Sequence, residues 1–185
     1  MRLDKKAILL GATAAAALVI PAVAAAHAVV SPFAPAGTAL TGARTVYVLR
    51  VPNERADRNT VAFSMVVPDQ VQTAISVLAM PGYSIKLKRV DTGAKTTEGA
   101  PIMATQAITW TPLKGLLVPP GFYAEVYFRF QNPITPSRLC FPVQQIYGGR
   151  LNARGVAQGK GEVVLWTGDA SSATPASCVD VKAAA

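Results

Sequence analysis

Alternating apolar and polar residues predict a chain built from short β-strands. The clearest segment is FYAEVYFRF, residues 122–130. Every second residue from Phe122 to Phe130 is apolar, whereas Glu125 and Arg129 lie between them, so one face of this strand is expected to be buried. Five further segments rich in β-branched and aromatic residues are also predicted to be strands: residues 45–51, 61–67, 83–90, 107–111 and 162–168.

The segments between these strands carry proline and glycine, and no stretch keeps a helical period. Seven or more short strands with regular turn signals favour an all-β, antiparallel sandwich. Residues 151–161 are polar and glycine-rich and are predicted to form a long hairpin loop. The small, polar segment 170–185 is expected to be a poorly ordered tail apart from Cys178.

The first 26 residues have the layout of a secretory signal peptide. Basic residues precede an apolar run over 7–20, which is shorter than the roughly 20 residues of a membrane span. The small residues Ala24 and Ala26 form an exit motif whose cleavage makes His27 the first residue; two neighbouring cuts leave one or two alanines before it. We therefore expect an exported protein, periplasmic or extracellular, with no transmembrane anchor and one domain over residues 27–169.

Net charge and cysteine content limit the partners and the cysteine chemistry that the chain is expected to have. The net charge is +8, but the basic residues are scattered, so solvated faces are favoured and no nucleic-acid partner is expected. The two cysteines, Cys140 and Cys178, are predicted to form a disulfide in an exported chain. A thiolate copper site is the alternative, although no Cys-x-x-Cys or Cys–His pair supports it.

His27 is the only histidine, and it follows three alanines. A first-position histidine offers its α-amine and its imidazole, which both lose protons near neutral pH and close one chelate ring on a metal. Cu(II) leads the divalent series in affinity for such nitrogen ligands. Chance placement of the histidine is the alternative.

The methionines Met65, Met80 and Met103 are not clustered, and core packing is favoured over a Cu(I) site.

Enzyme classes are poorly supported. One histidine at a chain terminus does not fit a Ser-His-Asp triad, and catalytic zinc takes three protein ligands. Phosphate-binding glycine loops are also missing from the sequence. A blue-copper electron carrier needs a cysteine with two histidines, which this chain cannot supply. We therefore predict a protein that is not an enzyme.

Several short motifs occur in an order that resembles the YcnI-like family of exported copper-binding domains. The resemblance covers about residues 27–169. Its motifs are His-x-x-Val-Ser-Pro (27–32), Arg-Val-Pro-Asn-Glu (50–54), Pro-Gly-Tyr (81–83), Ile-Thr-Trp (108–110), Pro-Pro-Gly-Phe (119–122), Phe-Pro-Val-Gln-Gln-x-Tyr (141–147) and Val-Val-Leu-Trp-Thr-Gly (163–168).

The resemblance implies a cupredoxin-like antiparallel β-sandwich that holds Cu(II) in a monohistidine brace. Carried over by motif, the copper site comprises His27, the carboxylate of Glu54 and a neighbouring tryptophan, Trp166 rather than Trp110. The implied role is copper trafficking or homeostasis, with another copper-trafficking protein as a partner. The chain departs from the pattern in having a longer loop before Trp166, Ala28 after the histidine and no C-terminal anchor helix.

Other interpretations of these residues stay open. Glu54 also suits a solvated turn charge, and Trp166 in an apolar strand also suits the core. The alternative function is a metal-free β-sandwich module for adhesion or interaction, in which aromatic strand faces meet a partner.

Overall fold

The structure is a computed structural model that describes residues 27–33 and 37–184. The predicted signal peptide, residues 1–26, lies outside the described residues. In chain order the strands are β1 (Val29–Pro32), β2 (Ala39–Leu40), β3 (Arg44–Pro52), β4 (Thr60–Val66), β5 (Ser76–Val77), β6 (Tyr83–Lys95), β7 (Pro101–Pro112), β8 (Tyr123–Gln131), β9 (Ser137–Phe141), β10 (Val143–Tyr147), β11 (Arg150–Leu151), β12 (Ala157–Gln158), β13 (Glu162–Trp166) and β14 (Ser177–Lys182). A 3-10 turn spans Asp69–Val71.

Two sheets form the body of the fold. The four-stranded sheet has the order β1-β3-β8-β5, and the five-stranded sheet has the order β13-β10-β4-β7-β6. A three-stranded sheet, β2-β14-β9, and a two-stranded ribbon, β11-β12, complete the architecture. The strands pair antiparallel except β14 with β2. The predicted all-β, antiparallel sandwich is confirmed, and each of the six predicted segments contains a strand.

Aromatic side chains dominate the buried interior. Tyr47 stacks on Phe130 with ring centroids 4.4 Å apart, and Phe63 stacks on Trp110 at 5.6 Å. Aromatic pairs at such separations contribute about 0.5–1.5 kcal/mol beyond their burial. Met65 is fully buried among them, whereas Met103 is 38% exposed. Strands β3, β4, β7 and β8 therefore supply the core that fixes the two sheets together.

The alternation of FYAEVYFRF holds with one exception. From Ala124 to Phe130 the apolar positions are buried, while Arg129 is exposed. Phe122 does not share that face: the strand begins one residue later, and Phe122 is 64% exposed. Its N–H donates to the carbonyl of Pro119, so Phe122 belongs to the preceding turn. The prediction was wrong at this residue because periodicity alone does not locate the end of a turn.

The prediction of a poorly ordered C-terminal tail was wrong for residues 177–182, which form β14. Val179 and Val181 of this strand are buried, whereas Asp180 and Lys182 are exposed. β14 lies between β2 and β9, and Cys178 is directly opposite Cys140, with which it forms a disulfide. The short alternation in CVDVK was hidden by the polar residues before it.

Removing the disulfide is expected to destabilise the protein. The bridge closes a loop with a sequence separation of 38. The chain-entropy model gives about 3–4 kcal/mol for a loop of this size. The double variant Cys140→Ala/Cys178→Ala should lose this much in denaturant unfolding, and a reductant should lower the stability of the parent protein only. Equal stability of parent and variant would contradict the prediction.

The buried Tyr47 hydroxyl gives a second prediction. It donates a 2.7 Å hydrogen bond to Oδ1 of buried Asn132, and burial raises the pKa of Tyr47 to about 12. Tyr47→Phe leaves that oxygen without this donor, at a cost of about 1–3 kcal/mol at neutral pH.

The same substitution should alter the pH dependence. A raised folded-state pKa means that the stability Tyr47 contributes is intact below pH 10 and is lost as the pH rises toward 12. Urea unfolding between these pH values should show a smaller alkaline loss of stability in Tyr47→Phe than in the parent. An unchanged alkaline loss would contradict this assignment.

Candidate functional site

The imidazole of His27 packs against the indole of Trp166. The ring centroids are 5.4 Å apart and the planes meet at 89°, which is an edge-to-face contact. Trp166 is only 4% exposed, whereas His27 is partly exposed. The single histidine of the chain therefore lies at the surface, with a buried tryptophan as one wall.

Strand β1 holds His27 in this position. Its residues pair with β3 in the register Val29 to Arg50 and Val30 to Leu49. Continued by two residues, that register brings the backbone of His27 level with Pro52. Ala28 and Val30 are buried, and the Val30 N–H donates to the Ser177 hydroxyl at 2.8 Å. The start of the described domain is thus packed on both β3 and β14.

Gln145 connects Trp166 to the end of β3. It is fully buried, and its Oε1 accepts a hydrogen bond from the Trp166 indole N–H at 3.2 Å. Its Nε2 donates to the Pro52 carbonyl and to the Thr60 hydroxyl, each at 2.8 Å. Three of the four hydrogen bonds that a side-chain amide can make are therefore formed, which fixes its orientation. Gln145 lies in the 141–147 motif, but its sequence pattern predicted no role for it.

Glu54 lies in the loop that follows β3. Its neighbour Asn53 is buried, and the Asn53 amide donates to the carbonyls of Arg58 and Val118 at 2.7 and 2.9 Å. The Asn53 side-chain oxygen also accepts the Arg55 N–H at 3.0 Å. Glu54 itself is exposed. The loop is therefore anchored on both sides of a carboxylate that faces solvent two residues beyond Pro52.

The residues around Glu54 extend this anchoring. Burial raises the pKa of the Tyr147 phenol, and a hydrogen bond from the Glu54 backbone opposes that rise. Arg55 forms a salt bridge with Glu162, and its guanidinium lies 5.4 Å from the centre of the Tyr147 ring. The hydrogen bond from Arg55 lowers the pKa of the Glu162 carboxyl. The sequence pattern likewise predicted no role for Tyr147, Arg55 or Glu162.

The two tryptophans occupy different environments. Trp110 is fully buried and stacks on Phe63, and within the described residues its indole N–H has no hydrogen-bond partner. Trp166 contacts His27 and is hydrogen-bonded to Gln145. Of the two candidates that the sequence offered, the structure brings Trp166 to the histidine.

The long loop before Trp166 folds back on itself as the ribbon β11-β12. Strands β10 and β13 keep an unbroken register from Val143–Trp166 to Tyr147–Glu162. At the base of the ribbon, a Cβ added at Gly161 would lie 2.4 Å from the Tyr147 carbonyl oxygen, so the chains approach too closely for any other residue. The extra residues therefore lie beyond the Glu162 end of the hairpin, away from Trp166.

The remaining predictions concern the two cysteines, other metal-binding side chains and membrane-spanning segments. Cys140 and Cys178 form their disulfide on the β9–β14 pair and leave no thiol for a metal in the described part of the chain. Among residues 27–33 and 37–184, no group of three or more His, Cys, Asp and Glu side chains is gathered as a metal cage. The helical part of these residues contains no segment long and apolar enough to span a membrane.

Comparison with solved structures gives the fold of a similar protein. One similar structure is the crystal structure of an uncharacterised protein from Nocardia farcinica, which is described as having an immunoglobulin-like fold. The two sequences are 21% identical, and the structures superpose with a TM-score of 0.56. The match covers 83% of this chain and 97% of that chain. Domains D2 and D3 of the major pilin SpaD from Corynebacterium diphtheriae give 12% identity and a TM-score of only 0.38, over 75% of this chain and 51% of theirs.

Comparison of sequences gives the family. A search of curated proteins found no match. The profile of DUF1775, described as a domain of unknown function, matches residues 27–178, beginning at His27 and including Cys178. The match covers most of the 185 residues, so this immunoglobulin-like β-sandwich belongs to the DUF1775 family, to which the YcnI-like proteins belong.

Proposed function

We propose that this protein binds Cu(II) outside the cytoplasmic membrane, with His27 as the first residue of the mature chain. The observation that carries the proposal is the packing of the only histidine, partly exposed, against the edge of a buried and hydrogen-bonded tryptophan. The exit motif before His27 and the start of the family match at this residue support the position of the cleavage.

The residues present suit copper by their donor chemistry. An N-terminal His27 would supply an amine nitrogen and an imidazole nitrogen, and Glu54 would supply a carboxylate oxygen. Cu(II) accepts such a tetragonal set of nitrogen and oxygen ligands. A brace of this kind needs no cage of several side chains, because two of its ligands come from one residue.

The surrounding protein would orient these ligands. Trp166 packs edge-to-face against the imidazole, and its hydrogen bond to Gln145 would limit rotation of the indole. The loop anchors at Asn53 and Arg55 limit the movement of Glu54. Copper is the cargo here, and the partial exposure of His27 suits its transfer to or from another copper-trafficking protein.

The first test varies the start of the chain. Protein beginning at His27 should bind one equivalent of Cu(II) with a nitrogen-rich tetragonal electron paramagnetic resonance spectrum. One additional alanine before His27 removes the α-amine from the histidine, and the affinity should fall at least about tenfold. Glu54→Gln should weaken binding less than the added alanine, and Glu98→Gln, an exposed control in the β6–β7 hairpin, should have no effect.

Equal and weak binding by both chain starts would reject the brace. The metal-free interaction module would then become the better explanation of the fold.

The second test uses the two tryptophans as reporters. The chain contains only Trp110 and Trp166, so Trp110→Phe and Trp166→Phe each leave one indole. Cu(II) should quench most of the fluorescence of Trp110→Phe, in which Trp166 remains beside His27, and little of that of Trp166→Phe. Stronger quenching of the Trp110 indole would place the metal elsewhere. Circular dichroism of both variants serves as the control for folding.

A further inference from the structure

The outer face of the four-stranded sheet carries a groove of about 590 Å³, which is within the range of small-molecule sites. Its floor is formed by the outward-facing residues Val46 of β3 and Tyr127 of β8, and Arg129 of β8 also lines the groove. Its walls are Phe33, which follows β1, and Leu78, which follows β5.

Backbone hydrogen bonds hold both walls of the groove against the sheet. The Phe33 N–H donates to the Val46 carbonyl at 2.8 Å, and the Leu78 N–H donates to the Tyr127 carbonyl at 3.0 Å. The Phe33 ring also packs edge-to-face on Tyr127 at 5.2 Å. Both walls are therefore tied to the floor, and a ligand would not have to order them at an entropic cost.

Three of its apolar side chains are open to solvent. Phe33 is 50% exposed, Leu78 is 54% exposed and Val46 is 40% exposed. Single exposed apolar residues are ordinary on protein surfaces, but a contiguous set around a concave site is typical of a place where an apolar partner binds. The groove therefore suits an alkyl chain better than a polar molecule.

The charge beside the groove is positive. Arg129 is exposed and lies opposite Val46 and Ser76 in the sheet. It makes no ion pair or side-chain hydrogen bond with the described residues. The nearest outward carboxylate along β8, Glu125, is already bound by Arg50 at 2.7 Å and by the Tyr127 hydroxyl. An anionic head group would thus find an available guanidinium at the rim.

We propose that this groove binds a single-chain amphiphilic anion, with its alkyl chain between Phe33 and Leu78 and its carboxylate or similar head group on Arg129. The site is separate from His27 and Trp166, so it does not depend on copper binding. Arginine suits this role because its planar guanidinium makes paired hydrogen bonds to a carboxylate.

The test uses sodium decanoate below its micellar concentration and the full mature chain. Calorimetry should give saturable binding of one equivalent, and the amide resonances of Phe33, Val77, Leu78 and residues 127–129 should shift. Arg129→Gln should weaken binding about tenfold, as expected for loss of a charge-assisted hydrogen bond. Arg44→Gln is the matched control, because Arg44 lies on the same outer face but outside the groove.

The apolar wall of the groove is tested by one variant and its matched control. Leu78→Ser should weaken decanoate binding. Leu116→Ser is the control and should not weaken it, because Leu116 is similarly exposed, at 58%, but lies outside the groove. Decanol should bind at least about tenfold more weakly than decanoate if Arg129 recognises the charge. Equal binding of decanol, an equal effect of Arg44→Gln, or no saturable binding would each overturn the proposal. Binding to phosphatidylglycerol vesicles without binding to monomeric decanoate would also overturn it, in favour of a membrane contact.

Discussion

The buried amide of Gln145 is the interaction on which the geometry around His27 and Trp166 depends. One side chain joins the end of β3 at Pro52, the start of β4 at Thr60 and the indole of Trp166. A buried amide without partners costs several kilocalories per mole, so the three segments must stay in register to keep it satisfied. The same constraint that holds the sandwich closed at this end also sets the angle of the wall beside His27.

Much of the sandwich could be predicted because its central strands bury one face. Alternation identified β8, and β-branched and aromatic residues identified β3, β4, β6, β7 and β13. β10 and β14 were missed for a physical reason. Each of these strands has few residues with a strand pattern, and each depends on pairing with other segments of the chain. β10 pairs with β13 and β4, and β14 pairs with β9 and β2.

The candidate site was predictable only as a set of residue types. His27, Glu54 and Trp166 were named from motifs, but no periodicity distinguishes Trp166 from Trp110, since both lie in apolar strands. The distinction arises from sheet order: β13 is an edge strand beside β10, whereas β7 is an inner strand. Gln145 and Tyr147 were equally hidden, because a polar residue on a buried face is recognised only when its partners are known.

Strand β1 lies between the two proposed binding regions and contacts β14, the strand that carries one cysteine of the disulfide. Its segment begins at His27 beside Trp166 and ends at Phe33 in the wall of the groove. β1 is only four residues long, so its pairing with β3 alone is a weak anchor. The Ser177 hydroxyl adds a second anchor by accepting the Val30 N–H, and Ser177 precedes the cysteine that ties β14 to β9. A strand far along the chain therefore supports the segment that begins at His27, because β14 is tied to β9 by the disulfide and to β1 by this hydrogen bond.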